Sequence, residues 1–170
     1  MDEGVTLEAD VPLHAVTLRY FEPQGPFALA AAAHCGVALP GAVTAAAAPR
    51  GLILAWRRPT ETLALCEEAA RLTDLAEKLC ACPGGHVVDL SGGLKVLRLK
   101  GAGVGELMSR LGGHGTLPRE GEARRGRLAD VSVLAICVRA GEILLVVDRA
   151  YAPHLLAWVR ASAADLEAPG

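Results

Sequence analysis

The run Gly101-Ala102-Gly103-Val104-Gly105 stands between a β-rich stretch and a helical one, the place where a dinucleotide fingerprint sets its glycines against a pyrophosphate. The third glycine of that fingerprint would fall at position 106, which is Glu106, and a carboxylate there opposes phosphate. The run reads as a glycine-rich strand-to-helix turn. Cys80, Cys82 and His86 offer soft and borderline ligands close together. A zinc site needs about four such groups in a tetrahedron, and no fourth is nearby, so these thiols read as packing residues at the end of a helical stripe. A catalytic nucleophile needs a serine or cysteine, a histidine and an orienting carboxylate. Five cysteines and five histidines are present, but no Gly-x-Ser-x-Gly, His-Glu-x-x-His or phosphate loop selects any of them. No catalytic, cofactor-binding or metal-binding residue is therefore assigned.

Two further groups carry charge. Arg119, Arg124, Arg125 and Arg127 share the polar stretch from His114 to Arg127 with Glu120 and Glu122, and read as a solvated loop rather than a dock for phosphate or an acidic partner. Asp89 and Asp148 each end an apolar run, where an aspartate commonly caps the next turn by accepting backbone N–H bonds.

Composition narrows the classes. The 170 residues are 52% hydrophobic, enough to bury a core, and the formal charge of -2 provides no basic field for nucleic acid or an anionic membrane. Aromatic residues are 4% of the chain, so no stacking platform for single strands is present. The odd cysteine count and the acidic start Met1-Asp2-Glu3-Gly4 point to a reducing, cytoplasmic setting. The longest apolar stretch, Phe27 to Ala48, is broken by His34, Gly36, Pro40, Gly41 and Thr44 and is mostly alanine, so no membrane span is expected and the protein should be soluble.

Periodicity supplies the elements that must hold these residues. Leu13 to Tyr20 alternates Val16, Leu18 and Tyr20 against Thr17 and Arg19, as a half-buried strand does. Pro26 opens a short helix through His34 that Gly36 closes. A loop from Leu39 to Arg50 leads to a strand at Leu52 to Trp56, whose hairpin partner is Glu61 to Leu65. Glu67 to Cys80 is an amphipathic helix with Leu72, Leu75, Ala76 and Leu79 on one stripe, ended by Pro83-Gly84-Gly85. Strands follow at Val87 to Leu90 and Leu94 to Leu99. A helix carries Val104, Leu107, Met108 and Leu111 and stops at Gly112-Gly113. Val131 to Val138 and Ile143 to Val147 flank the turn Arg139-Ala140-Gly141-Glu142, and Tyr151 to Ala164 closes as a helix burying Leu155, Leu156, Trp158 and Val159. The fold class is α+β, with antiparallel hairpins in two small sheet-and-helix subdomains. Residues 1–12 are expected as a flexible N-terminal segment, 13–166 as one domain with subdomains 13–90 and 91–166, and 167–170 as a C-terminal tail. A unit of strand, helix, strand, strand recurs loosely, without a fixed period.

Taken in order, these segments resemble the gamma subunit family of heterotetrameric sarcosine oxidase, whose fold is related to the folate-binding aminomethyltransferase of the glycine cleavage system. The resemblance runs from about Ala30 to Val159. It rests on Gly36-Val37-Ala38-Leu39-Pro40, then Leu54-Ala55-Trp56-Arg57-Arg58-Pro59-Thr60-Glu61-Thr62-Leu63, similar to the family's Trp-Leu-Gly-Pro-x-Glu-x-Leu hairpin. Val88-Asp89-Leu90-Ser91 with Val96-Leu97-Arg98-Leu99-Lys100-Gly101 is the third piece, and Val147-Asp148-Arg149-Ala150-Tyr151-Ala152 before the Trp158 helix is the fourth. The chain departs from the family at Arg57-Arg58, where a glycine tends to precede the proline, at Ala150, often serine, and at Gly92-Gly93, usually more polar.

The resemblance implies the aminomethyltransferase-like fold and a non-catalytic accessory subunit. Larger alpha and beta subunits would carry FAD, FMN and NAD and oxidise a secondary amine, with tetrahydrofolate taking the one-carbon unit, and this chain would hold no cofactor. The alternatives are a stand-alone folate or small-molecule binder on the same fold and a small enzyme using the thiol of Cys80 or Cys82. The first alternative departs from the accessory role in needing a cavity. The accessory role predicts an apolar docking face.

Overall fold

The computed structural model describes residues 4–167; Met1 to Glu3, including most of the acidic start, and the tail residues 168–170 lie outside the described residues. The elements in chain order are β1 (Thr6–Glu8), β2 (His14–Tyr20), α1 (Pro26–Cys35), β3 (Ala45–Ala48), β4 (Leu52–Arg58), β5 (Glu61–Cys66) and α2 (Ala69–Leu79). They continue with β6 (Gly85–Asp89), β7 (Leu94–Lys100), α3 (Val104–Arg110), β8 (Glu122–Leu128), β9 (Val131–Arg139), β10 (Glu142–Asp148) and α4 (Ala152–Glu167). No helix among the described residues is long and apolar enough to cross a membrane.

The chain divides into two compact units, one from Pro12 to Gly92 and one from Gly93 onward together with the residues up to Val11. In the first unit a five-stranded antiparallel sheet runs β3-β4-β5-β2-β6. In the second the order is β8-β9-β10-β7-β1, again antiparallel throughout. The two orders correspond strand for strand, because each unit runs strand, helix, three-strand meander, helix: β2-α1-β3-β4-β5-α2, then β7-α3-β8-β9-β10-α4. The strand-helix-strand-strand unit that the sequence repeats loosely is thus a complete internal repeat. The fifth strand comes from opposite ends of the repeat: β6 follows α2 and pairs with β2, whereas β1 precedes the second repeat and pairs with β7.

Each unit has its own apolar core between sheet and helices. In the first, Val16, Leu18 and Leu54 pack with Phe27 of α1 and Leu72, Leu75 and Leu79 of α2. In the second, Leu97, Leu99, Val133 and Leu145 pack with Leu107 and Met108 of α3 and Leu155 and Val159 of α4. The helices end as their sequences dictate: Gly36 and Gly112 both adopt φ 80, open to glycine at no steric cost, and Gly36 N–H donates to the Ala32 carbonyl.

Several expectations are corrected. Within the segment 1–12, expected to be flexible, Thr6–Glu8 forms β1, because Thr6, Leu7 and Glu8 pair with Lys100, Leu99 and Arg98. The four alanines of β3, read as loop, are drawn into the sheet as the edge of a hairpin by pairing with Leu52–Ala55 of the buried strand β4, a gain that overrides alanine's low strand propensity. The last part of the stretch read as a solvated loop, from Glu122 and including Arg124, Arg125 and Arg127, is β8, paired residue by residue with β9 from Glu122↔Cys137 to Leu128↔Val131. The strand at Leu13 to Tyr20 is not half-buried: Ala15, Val16, Thr17 and Leu18 are all buried, so both faces of this central strand are covered. Trp158, expected in the core, is 52% exposed on α4, where its ring meets that of His154 edge-on at 6.5 Å.

Candidate functional site

The most unusual side chain in the first unit is Glu61, a carboxylate only 4% exposed at the first position of β5. A buried charge requires partners, and the local backbone supplies them. The β4–β5 register shifts between Trp56 and Arg58. Such a bulge suspends the strict alternation of faces, so two consecutive arginines can approach the same carboxylate. Arg57 Nη1 donates to Glu61 Oε1 at 2.7 Å, and Arg58 Nε lies 3.7 Å from Oε2. From β2, Arg19 sits directly opposite Glu61 and brings its Nε to 3.8 Å. Two residues back on the same face, the Thr17 hydroxyl donates to Oε1 at 2.9 Å.

Burial raises the Glu61 pKa, and the Thr17 hydrogen bond with the charges of Arg57, Arg19 and Arg58 more than offsets that, leaving it below the ordinary glutamate value. Glu61 is therefore an anchored anion rather than a proton donor near neutrality. One carboxylate faces three guanidinium groups, and the surplus positive charge belongs to Arg19 and Arg58, whose side chains are 49% and 61% exposed.

Two recesses adjoin this cluster. One, of about 310 Å³, is walled by Arg19, Phe21, Arg58, Glu61 and His86. The other, of about 490 Å³, lies beside α1 among apolar and small residues that include Leu29, Leu39, Trp56 and Pro59. Tyr20 contributes to both walls, and its hydroxyl is fixed 3.0 Å from Thr62 Oγ1. Phe21 and Leu29, at 79% and 62%, are the most exposed large apolar side chains described.

The residues singled out by type and spacing fall elsewhere. Gly101 has φ 117, and a Cβ there would lie 2.1 Å from the Gly4 carbonyl oxygen, so this glycine serves the close approach of the N-terminal strand. Cys80 is exposed, not packed, while the Cys82 thiol is half-buried with its sulfur 3.7 Å from the Pro26 carbonyl. Cys35, Cys66 and Cys137 are buried, and burial pushes the Cys35 thiol up to about 11 despite the opposing charge of Arg71. Among the described residues no three His, Cys, Asp or Glu side chains group together as metal ligands. All five histidines are exposed.

In β8, Arg124 grips Glu122 through Nε at 2.7 Å and Nη2 at 3.2 Å, and the Arg119 N–H donates to the same carboxylate at 2.9 Å. These contacts hold Glu122 down to about 2. Arg127 donates to the Asp130 carbonyl. Asp89 accepts the Ser91 N–H at 2.9 Å, the expected cap, whereas Asp148 makes no capping hydrogen bond at the turn it precedes. Glu61 belongs to the hairpin segment Leu54 to Leu63, but neither it nor Thr17 is marked by residue type and spacing as a site residue. The available signal was a threonine and an arginine alternating on one strand with a Glu at the start of a hairpin partner.

Among solved structures, a chain of heterotetrameric sarcosine oxidase from Corynebacterium sp. U-96, in complex with pyrrole 2-carboxylate, superposes with a TM-score of 0.85 at 26% identity over 100% of this chain and 89% of that one. The glycine cleavage system aminomethyltransferase T from Bartonella henselae superposes with a TM-score of 0.70 at 14% identity, over 92% of this chain and 45% of that one. The second likeness shows the fold: two antiparallel sheets with helices, of the aminomethyltransferase-like kind. No family model and no curated protein matches the chain.

Proposed function

We propose that this chain is the gamma subunit of a heteromeric, flavin-dependent oxidase of secondary amines of the sarcosine oxidase type, and serves that complex as a non-catalytic accessory chain. The observation that carries the reading is the end-to-end correspondence with a chain of a heterotetrameric sarcosine oxidase at 26% identity. A shared fold alone leaves function open, but the matched chains are also of similar extent, unlike the aminomethyltransferase, of which 45% is covered. The charged cluster suits such a role, since its one carboxylate is locked below its ordinary pKa by surrounding donors. In this reading the larger alpha and beta subunits carry FAD, FMN, NAD and the tetrahydrofolate that accepts the one-carbon unit.

Co-expression of the tagged chain with candidate large subunits tests the proposal. A purified complex with flavin absorbance in which all chains are stoichiometric is the expected result. A colourless monomer beside unbound, active large subunits would overturn it. The recess of about 490 Å³, within the size range of small-molecule sites, favours a second reading as a folate binder. Calorimetric titration of the isolated chain with tetrahydrofolate decides that reading, and the absence of heat at millimolar ligand removes it.

A further inference from the structure

We infer that the guanidinium-rimmed recess at the end of β2 is a docking site for an acidic segment of a partner chain, the partner being a large subunit of the oxidase complex. The inference rests on the proposed accessory role and adds where, and by what chemistry, the partner is held.

Charge complementarity carries it. The recess contains one carboxylate, Glu61, which is buried and already bonded to Thr17 and Arg57. Arg19 and Arg58 bring Nε to 3.8 and 3.7 Å from Glu61, longer than a direct hydrogen bond. Their forks remain half-exposed around the recess, the geometry that carboxylates engage in pairs of parallel hydrogen bonds. Burying Glu61 beneath them gives each guanidinium a fixed electrostatic anchor while leaving the pair cationic in sum. The protein as a whole is mildly acidic, at -2, so this is a local concentration against the general charge.

An apolar contact adjoins the charges. Phe21 is 79% exposed beside the arginines, yet its backbone is tied down, its N–H donating to the Gly84 carbonyl at 2.9 Å. The preceding residue is held likewise, Tyr20 N–H to the Thr60 carbonyl at 3.1 Å. An exposed aromatic ring on an immobile backbone loses little freedom on contact, as an interface anchor requires. A partner segment carrying Asp or Glu next to an apolar side chain matches both features.

The test uses the full chain and the large subunits. Arg19→Gln/Arg58→Gln and Phe21→Ser are each compared with the parent chain in capturing the large subunits, alongside Arg19→Lys/Arg58→Lys and a distant control, Lys78→Gln on α2. Thermal unfolding of each isolated variant reports whether it folds, and Phe21→Ser leaves the Glu61 cluster intact if the glutamine pair does not fold. Loss of capture by about tenfold or more in the glutamine and serine variants, partial recovery with lysine, and salt-sensitive capture by the parent chain support the inference. Undiminished capture by the folded glutamine and serine variants overturns it while leaving the accessory role standing. No capture by the parent chain overturns both.

Discussion

The two repeats place a glutamate at the same point, and treat it differently. Glu61 opens β5 opposite Arg19 of β2; Glu142 opens β10 opposite Lys100 of β7. Both hairpins carry a register shift at that end. Thr17 in the first repeat and Arg98 in the second each stand two residues before the opposite partner, and each contacts the glutamate, Thr17 by a hydrogen bond of 2.9 Å and Arg98 by an ion pair of 3.0 Å. The Glu61 side chain is 6% exposed and the Glu142 side chain 19%, with Lys100 half in solvent at 50%. The same backbone position therefore supports a buried anchored anion in one repeat and a partly buried ion-pair network, open to solvent on its Lys100 side, in the other. Each hairpin also sets an arginine opposite its glutamate, Arg58 for Glu61 and Arg139 for Glu142; what separates the two is the preceding residue, Arg57 in the first repeat, which donates to Glu61, and Val138 in the second.

The largest effect expected from breaking this comparison is that of Glu61→Ala, which leaves Arg57 without its buried partner and should cost about 3 kcal/mol. Glu142→Ala, in the partly buried pair with Arg98, should cost less, about 1 to 2 kcal/mol. Urea denaturation of the two variants measures both, and equal losses would mean that the two positions are energetically alike despite their surroundings.

Next in size is Gly101→Ala. It places a Cβ 2.1 Å from the Gly4 carbonyl at a φ of 117, and should cost about 2 kcal/mol. Because β1 is the strand the second repeat takes from outside its own run, the damage should be local. Amide exchange is expected to rise over Thr6–Glu8 while β6, the corresponding strand of the first repeat, keeps its protection; unchanged exchange in β1 would contradict the assignment.

The turns between the first two meander strands differ too. In the second repeat Ala129 and Asp130 have φ 46 and 64, a left-handed pair without glycine, where the first repeat places Gly51 at φ 71 after Arg50. Replacing Ala129-Asp130 by Asn-Gly should stabilise the protein by about 1 kcal/mol in thermal unfolding, since those residues suit a tight hairpin. A loss of stability would show that the Asp130 side chain contributes more than its backbone costs.

Acid should act on the first repeat through Glu61 with a smaller, graded effect. Its folded pKa lies below the ordinary value, so the unfolded chain takes up the proton first as pH falls, and this stabilisation is complete above about pH 4.5 and lost below it. Thermal stability of Glu61→Gln should fall less steeply than that of the parent chain below that pH. Parallel slopes would assign acid sensitivity to other carboxylates, among them Glu122, which Arg124 and Arg119 hold at about 2.

Much of the fold was legible because its signals are local. The amphipathic stripe of α2, the proline that opens α1, the glycines that close α1 and α3, and the hairpins at Pro59-Thr60 and Ala140-Gly141 are written in neighbouring residues, and the structure places them within a few positions of expectation. The family resemblance likewise drew on ordered local motifs, and the aminomethyltransferase-like fold follows it. The candidate site was only half legible: Arg57, Arg58 and Glu61 lie together in the hairpin segment Leu54 to Leu63, but nothing local says that they meet, or that Thr17 and Arg19 join them from β2.

By itself, the sequence determined which segments are helices and hairpins, since helix periodicity, caps and turn residues act over a few positions. Tertiary structure alone decided that β1 is a strand, because Thr6–Glu8 forms one only when the distant β7 offers its N–H and C=O groups, and that the alanine-rich β3 and arginine-rich β8 are strands, because such edges pair only once the neighbouring hairpin strand is itself held in a sheet. It also decided that Thr17 and Glu61 are buried and Trp158 is not, since burial depends on what covers a face, and the residues along that face do not carry that information.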